Sequence, residues 1–185
     1  MNAHRSLAES LKLINKEEKM QLLKKIEESA TYHEKVYHGC CRSVLSAIQI
    51  HLGLENDEVV KAATALGGGV ARTGESCGGL LGGLMAIGLV YASGRLDNSR
   101  TSPAYKQTMD SALRLCDRFK KEFGGTRCFE VQEKIFGRHY DLRNPVDLKA
   151  FRESAHKKCE TLVAGLSARL AAEVILDDCR KEESV

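Results

Sequence analysis

Apolar residues recur along this chain at the three- and four-residue spacing of amphipathic α-helices, and no stretch keeps the alternation typical of a β-strand. Helix-start signals agree with that spacing, since Asn15 with Glu18 forms a capping-box pattern and Ser102 precedes Pro103. The pattern predicts helices over residues 6–14, 15–34, 40–52, 56–66, 74–91, 103–123, 126–136 and 154–178. The sequence therefore predicts an all-α fold, a single-domain helical bundle.

The helix expected over residues 74–91, with Thr73 as its N-cap, is apolar on most sides and is predicted to be the central one. Its apolar run is 15 residues long, which is short for a membrane span of about 20 residues. Three glycines, Gly78, Gly82 and Gly83, would let another helix approach closely, either within the chain or across a homodimer. For the helix over 103–123, the expected inner face carries Tyr105, Met109, Ala112, Cys116, Phe119 and Phe123.

Composition narrows the classes of protein that fit. The 185 residues include no Trp and only two prolines, and a net charge of +3 with both signs interspersed gives no basis for nucleic-acid binding. The N-terminus has no apolar signal-peptide core, so we expect a cytoplasmic protein without a membrane anchor. We expect residues 1–34 to form an N-terminal helical extension on a cysteine-containing domain over 35–185, together one compact unit.

Seven cysteines in a chain without an export signal indicate metal binding, thiol redox chemistry or simple burial rather than disulfides. Cys40, Cys77 and Cys128 each fall at the start of a predicted helix, where free N–H groups stabilise a thiolate and lower its pKa. We expect these three to meet at one place in the fold. Their spacing fits neither a zinc finger nor a bacterial ferredoxin.

The other four cysteines have weaker signals. Cys41 and Cys116 lie on apolar helix faces and are expected to be core residues, while Cys179 lies near the chain end and is expected to be incidental. Cys159 is on an inner helical face, which fits either a core residue or a ligand.

Three segments carry a family resemblance. They begin at Tyr37-His-Gly-Cys-Cys-Arg, at Leu66-Gly-Gly-Gly-Val-Ala-Arg-Thr-Gly-Glu-Ser-Cys-Gly-Gly and at Phe123-Gly-Gly-Thr-Arg-Cys-Phe-Glu. Together they resemble the C_GCAxxG_C_C family of redox-active proteins, with Cys41 and Gly79 standing where that family commonly has alanine. The resemblance implies an iron–sulfur cluster or another metal held by four cysteines, which are Cys40, Cys77, Cys128 and Cys159 in this chain.

The leading hypothesis is an electron-transfer protein that binds such a cluster and serves a redox partner of unknown identity. Residues around Cys77 would line its cofactor site: Gly68, Gly69, Gly74, Glu75 and Gly78. A first alternative is a metal-free thiol–disulfide protein in which Cys77 or Cys40 is the attacking thiolate, although the chain has no CxxC motif. A second alternative is a helical interaction module whose cysteines are only core residues. The glycine-rich loop argues against this alternative, since such a module does not need it. Either an enzyme or an electron carrier is compatible with these residues.

Overall fold

The structure is a computed structural model that describes residues 13–94 and 100–181. Within these ranges the regular structure is helical, apart from an isolated antiparallel β-bridge between Ser76 and Arg127. The all-α prediction is therefore confirmed. Residues 6–12 of the first expected helix lie outside the described ranges, as do residues 95–99 of the loop that precedes Ser102.

Eight helices run through the described ranges, and an irregular stretch precedes the last of them. The helices are α1 (Lys16–Tyr37), α2 (Cys40–Leu52), α3 (Asp57–Ala63), α4 (Gly78–Tyr91), α5 (Pro103–Phe123), α6 (Cys128–Phe136), α7 (Pro145–Ser154) and α8 (Leu166–Lys181). A 3₁₀ turn (Thr64–Leu66) extends α3. A single helical turn (His156–Lys158) and a π-helical segment (Cys159–Gly165) connect α7 to α8.

Local capping explains where several helices begin. The Asn15 side chain accepts hydrogen bonds from the backbone N–H groups of Glu17 and Glu18, and the Glu18 carboxylate accepts one from Asn15 N, so the expected capping box is present. Ser102 caps α5, which begins at Pro103 as expected. The expected bounds of α2 and α5 are confirmed.

The expected start of α4 is wrong: the helix begins at Gly78 rather than at residue 74, and Thr73 is not its N-cap. The backbone just before it is bonded elsewhere, because Cys77 N donates to Thr126 O at 2.8 Å and Cys128 N donates to Glu75 O at 2.6 Å. Residues 74–77 are therefore tied to the chain segment before α6.

The expected inner face of α5 is also partly wrong, since Tyr105 and Met109 are 38% and 50% exposed. The buried line instead follows Ser111, Leu115, Phe119 and Phe123. Ser111 can occupy a core position because its hydroxyl donates to Asp178 Oδ2 at 2.7 Å, which satisfies both buried groups. Ser111 therefore faces the core, whereas Met109, which was expected to do so, is half-exposed.

The main core is formed by α1, α2, α4, α5, the π-helical segment and α8. The α4 helix packs against α2, α5 and α8, as expected for the central helix. Residues 16–34, assigned to an extension from the sequence, belong to α1, and Leu23, Ile26 and Ala30 of that helix are buried in the main core. A second, smaller core joins Leu142, Phe151 and Ala155.

None of the helices that the structure describes is long and apolar enough to cross a membrane.

Glycines on α4 set how closely its neighbours approach. A Cβ atom added at Gly82 would clash with the carbonyl oxygen of Cys41 and lie 3.0 Å from Val44 Cβ, both on α2. A Cβ at Gly83 would lie 2.8 Å from Ala171 Cβ on α8 and 2.9 Å from Leu115 Cδ2 on α5. The glycine face of α4 is thus filled by this chain's own helices.

We expect Gly82→Ala to lower the free energy of unfolding by about 1–3 kcal/mol, because the added methyl group overpacks the α2–α4 contact. Gly88→Ala is the matched control on the same helix, since nothing lies within 4 Å of its Cβ position. That change should raise stability by about 0.5–1 kcal/mol through helix propensity. Urea unfolding of both variants measures the difference, and equal stabilities would contradict the close packing.

Candidate functional site: a cavity lined by four cysteines

A cavity of about 910 Å³ is lined by four cysteines that lie far apart in the sequence. Cys40 is the first residue of α2, Cys77 immediately precedes α4, Cys128 is the first residue of α6 and Cys159 begins the π-helical segment. The fold therefore brings Cys40, Cys77 and Cys128 to one place, as their positions at helix starts had suggested, and Cys159 joins them.

The position of Cys128 relative to Cys77 is set by the backbone. The two hydrogen bonds at the Ser76–Arg127 bridge, Cys77 N to Thr126 O and Cys128 N to Glu75 O, hold the two helix starts side by side. Gly69 packs closely against Cys128, because a Cβ added at Gly69 would lie only 2.6 Å from Cys128 Cβ. A residue with a side chain at position 69 would displace Cys128.

Cys40 is held by a similar close approach. A Cβ added at Gly78 would lie 2.5 Å from Cys40 Sγ, so the start of α4 contacts the sulfur with bare backbone. Gly39, the N-cap of α2, has a φ of 98°, a conformation that favours glycine. Glycines therefore border Cys40 both in the chain, at Gly39, and across the helix contact, at Gly78.

The glycine loop itself makes a left-handed turn. Five consecutive residues have positive φ: 65° at Gly68, 73° at Gly69, 60° at Val70, 51° at Ala71 and 66° at Arg72. Three of them are not glycine, and each costs roughly 1–2 kcal/mol in this conformation. The turn is closed by Ala71 N donating to Ala65 O at 2.8 Å and by Arg72 N donating to Gly67 O at 3.2 Å. It places Gly68 and Arg72 in the cavity wall.

The residues expected around a cofactor divide into two groups. Gly68 lines the cavity, and Gly69 and Gly78 contact the cysteines directly behind it. Gly74 and Glu75 are outside the cavity lining: the Glu75 side chain is 62% exposed and its carboxylate lies 3.7 Å from Arg127 Nε. Glu75 contributes its backbone carbonyl, which holds Cys128 N.

Burial dominates the electrostatics of the four thiols. It raises the pKa of Cys77 to about 12, and the neighbouring Cys128 adds to the rise, while the N–H groups of Gly79 and Leu80 oppose it. Burial, followed by the charge of Glu34, also raises the pKa of Cys40 and of Cys159 well above the usual range. The expectation that helix starts lower these pKa values is therefore wrong for the metal-free protein, because desolvation outweighs the N–H donors.

Sequence reasoning missed three polar residues in the cavity wall. Gln132 donates from Nε2 to Cys128 Sγ at 3.4 Å and accepts from Tyr140 N at 2.8 Å. Glu34 is only 4% exposed, and its Oε1 lies 3.4 Å from His156 Nε2. The four-residue spacing from Cys128 could have indicated Gln132. Nothing local links Glu34 to His156.

His38 also lines the cavity. Its ring meets that of His156 edge to face with centroids 4.9 Å apart, and its Nδ1 lies 3.0 Å from Glu34 O.

The remaining cysteines lie away from the cavity lining. Cys41 is fully buried, with its Sγ 3.8 Å from Met85 Sδ, and Cys116 is half-buried against the main core. Cys179 is 1% exposed beside the Tyr91 hydroxyl, so it is a core residue rather than an incidental one at the chain end.

The spacing of the donor atoms limits which metal group they can hold. Among the described residues, no group of three or more His, Cys, Asp or Glu side chains is arranged to bind a single metal ion. A cluster of several irons differs, because each thiolate bonds to its own iron and the sulfurs stand farther apart than around one ion. The four cavity cysteines supply the thiolate donors that hold iron–sulfur clusters.

The sequence model of one protein family, described as "Putative redox-active protein (C_GCAxxG_C_C)", matches residues 38–174. The chain belongs to this family, which defines it as a member of a redox-active class. Neither the comparison with curated proteins nor that with solved structures gave a match. The matched residues contain all four cysteines of the cavity wall.

The raised thiol pKa values predict a stability that falls at high pH in the metal-free, reduced protein. The folded pKa of Cys77, about 12, exceeds the ordinary value near 8.5, so the unfolded chain releases its proton first and deprotonation favours unfolding. The contribution of Cys77 is intact below about pH 8.5, and about 2 kcal/mol of it should be lost by pH 10.

Denaturant unfolding at pH 7 and pH 10 measures this loss. The drop in unfolding free energy should be smaller in Cys77→Ala by about that amount, while Cys116→Ala, whose thiol is half-buried on α5, should keep most of the drop. An unchanged pH dependence in Cys77→Ala would contradict the assignment.

Proposed function

We propose that the protein is an electron-transfer protein whose four cavity cysteines, Cys40, Cys77, Cys128 and Cys159, bind an iron–sulfur cluster. The observation that carries the proposal is the convergence of these thiols, from four separate elements, on one cavity. When bound, a cluster would supply reversible one-electron chemistry. Buried thiols with raised pKa values accommodate it because a bound cation reverses the local charge balance and keeps thiolates deprotonated.

The chain's own groups would tune that site through the sulfur atoms. The backbone N–H groups of Gly79 and Leu80 stabilise negative charge at Cys77, and the Gln132 amide donates to Cys128. Such donors favour the more negative, reduced state and so raise a reduction potential. Cys77 is 2% exposed, and such burial makes a hydrogen bond to its sulfur electrostatically stronger.

The thiol–disulfide alternative has less support. An attacking cysteine must be a thiolate at the working pH, yet burial raises the pKa of both Cys77 and Cys40. The cavity cysteines Cys40, Cys77, Cys128 and Cys159 are free thiols, which suits a reducing compartment such as the cytoplasm.

Anaerobic reconstitution with iron and sulfide tests the ligand set. The wild-type protein should become brown and hold iron and sulfide in near-equal amounts. Cys77→Ser, Cys128→Ser or Cys159→Ser should each lose most of the bound iron, because a hydroxyl replaces thiolate poorly. Cys116→Ser, on α5 and outside the cavity lining, is the matched control and should keep the wild-type iron content. A colourless wild-type protein after reconstitution would contradict the proposal.

Gln132→Leu should lower the midpoint potential of the reconstituted protein by about 20–60 mV, since it removes one hydrogen bond to the Cys128 sulfur. Gln49→Leu provides a control, because Gln49 is equally buried on α2 but does not line the cavity. A potentiometric titration followed by visible absorption measures both. An equal shift of the midpoint potential in the two variants would contradict the role of the hydrogen bond, because it would point to general destabilisation.

A further inference from the structure

The cavity is larger than four converging cysteines require. Its volume of about 910 Å³ is near the top of the roughly 300–1,000 Å³ range of small-molecule sites. Cys77, Val131 and Val163 of the main core line it, and so do Leu142 and Phe151 of the second core. The cavity therefore extends from the cysteines to the aromatic residues of α6 and α7.

One polar atom in the wall has no partner among the described residues. Glu34 is 4% exposed, and its Oε1 accepts from Gly39 N at 3.3 Å and lies 3.4 Å from His156 Nε2. Its second oxygen, Oε2, makes no hydrogen bond and is itself buried although the residue lines the cavity, so a ligand reaches it when the carboxylate turns toward the cavity. A buried acceptor left unpaired is costly, so a ligand that brings an O–H or N–H donor to this oxygen gains the bond that the protein leaves open.

The rest of the wall indicates the shape of such a ligand. Phe136 and Phe151 meet edge to face with centroids 6.1 Å apart, and the Phe151 and His156 rings do the same at 5.7 Å. Leu142 and Leu148 complete this apolar side of the cavity. An aromatic ring packs well among ring edges and leucine side chains.

We propose that this cavity is a binding site for a small aromatic molecule with a hydroxyl group, whose ring packs against Phe136 and Phe151 and whose O–H donates to Glu34 Oε2. An O–H donor to a carboxylate forms a short, strong hydrogen bond. The site adjoins the four cysteines and does not depend on a bound metal.

Phenol and toluene are the matched probes, because they share the ring and differ in the hydrogen-bond donor. Protein-observed NMR titration of the full chain, metal-free and reduced, should show phenol binding about tenfold more tightly than toluene. The shifted resonances should include those of Phe151 and His156. Phenol that binds no more tightly than toluene would overturn the proposal.

Glu34→Gln tests the acceptor directly. Its amide oxygen can keep the contacts to Gly39 N and His156, while its NH₂ group replaces the free acceptor with a donor. The preference for phenol over toluene should fall to within about twofold. Glu160→Gln is the control, because Glu160 lies 3.1 Å from the other ring nitrogen of His156 but does not line the cavity, so the preference should survive.

A second variant does not depend on Glu34→Gln folding. Leu148→Trp narrows the cavity from its α7 side and should weaken the binding of both probes at least fivefold, whereas unchanged binding would place the probes elsewhere and overturn the proposal. Iron content after reconstitution is measured separately on the same preparations. A protein that prefers phenol but takes up no iron would contradict the iron–sulfur proposal and support the phenol site. A protein that takes up iron but shows no preference for phenol would support the iron–sulfur proposal and contradict the phenol site.

Discussion

The contact of bare helix backbone between α2 and α4 is the constraint on which the rest of the structure depends. Gly78 leaves room for the Cys40 sulfur, and Gly82 leaves room for the backbone carbonyl of Cys41. Because glycine lets the two helices approach this closely, their N-terminal ends lie together and the thiols of Cys40 and Cys77 share a cavity. Interior packing cannot absorb an extra methyl group at such a contact without moving one helix.

Close packing of this kind has an electrostatic consequence. Four thiols taken out of water stay protonated at neutral pH, since burial raises the pKa of each and neighbouring thiolates would repel one another. Glu34 adds a carboxylate to the same wall. The site therefore has two ways to remain near neutral, with protons on the sulfurs or with metal cations between them.

Local sequence signals predicted much of this fold and part of the site. The capping box at Asn15 and the bounds of α2 and α5 follow from neighbouring residues alone. Errors arose where distant residues decide. The start of α4 is delayed because Cys77 N donates to Thr126 O and Glu75 O accepts from Cys128 N, and Asp178 accepts a hydrogen bond from Ser111 in the core. The helix-start argument grouped the cysteines correctly but gave the wrong sign for their pKa shifts, because burial depends on the whole fold.

The four cysteines are spread from Cys40 to Cys159, so the cavity wall is assembled from residues that lie far apart in the sequence. During synthesis, a chain that ends before the π-helical segment has only three of the four thiols. Non-local contacts of this kind form late in folding. Formation of the site therefore depends on the order in which the helices leave the ribosome. A chain truncated before Cys159 lacks one of the four thiols altogether.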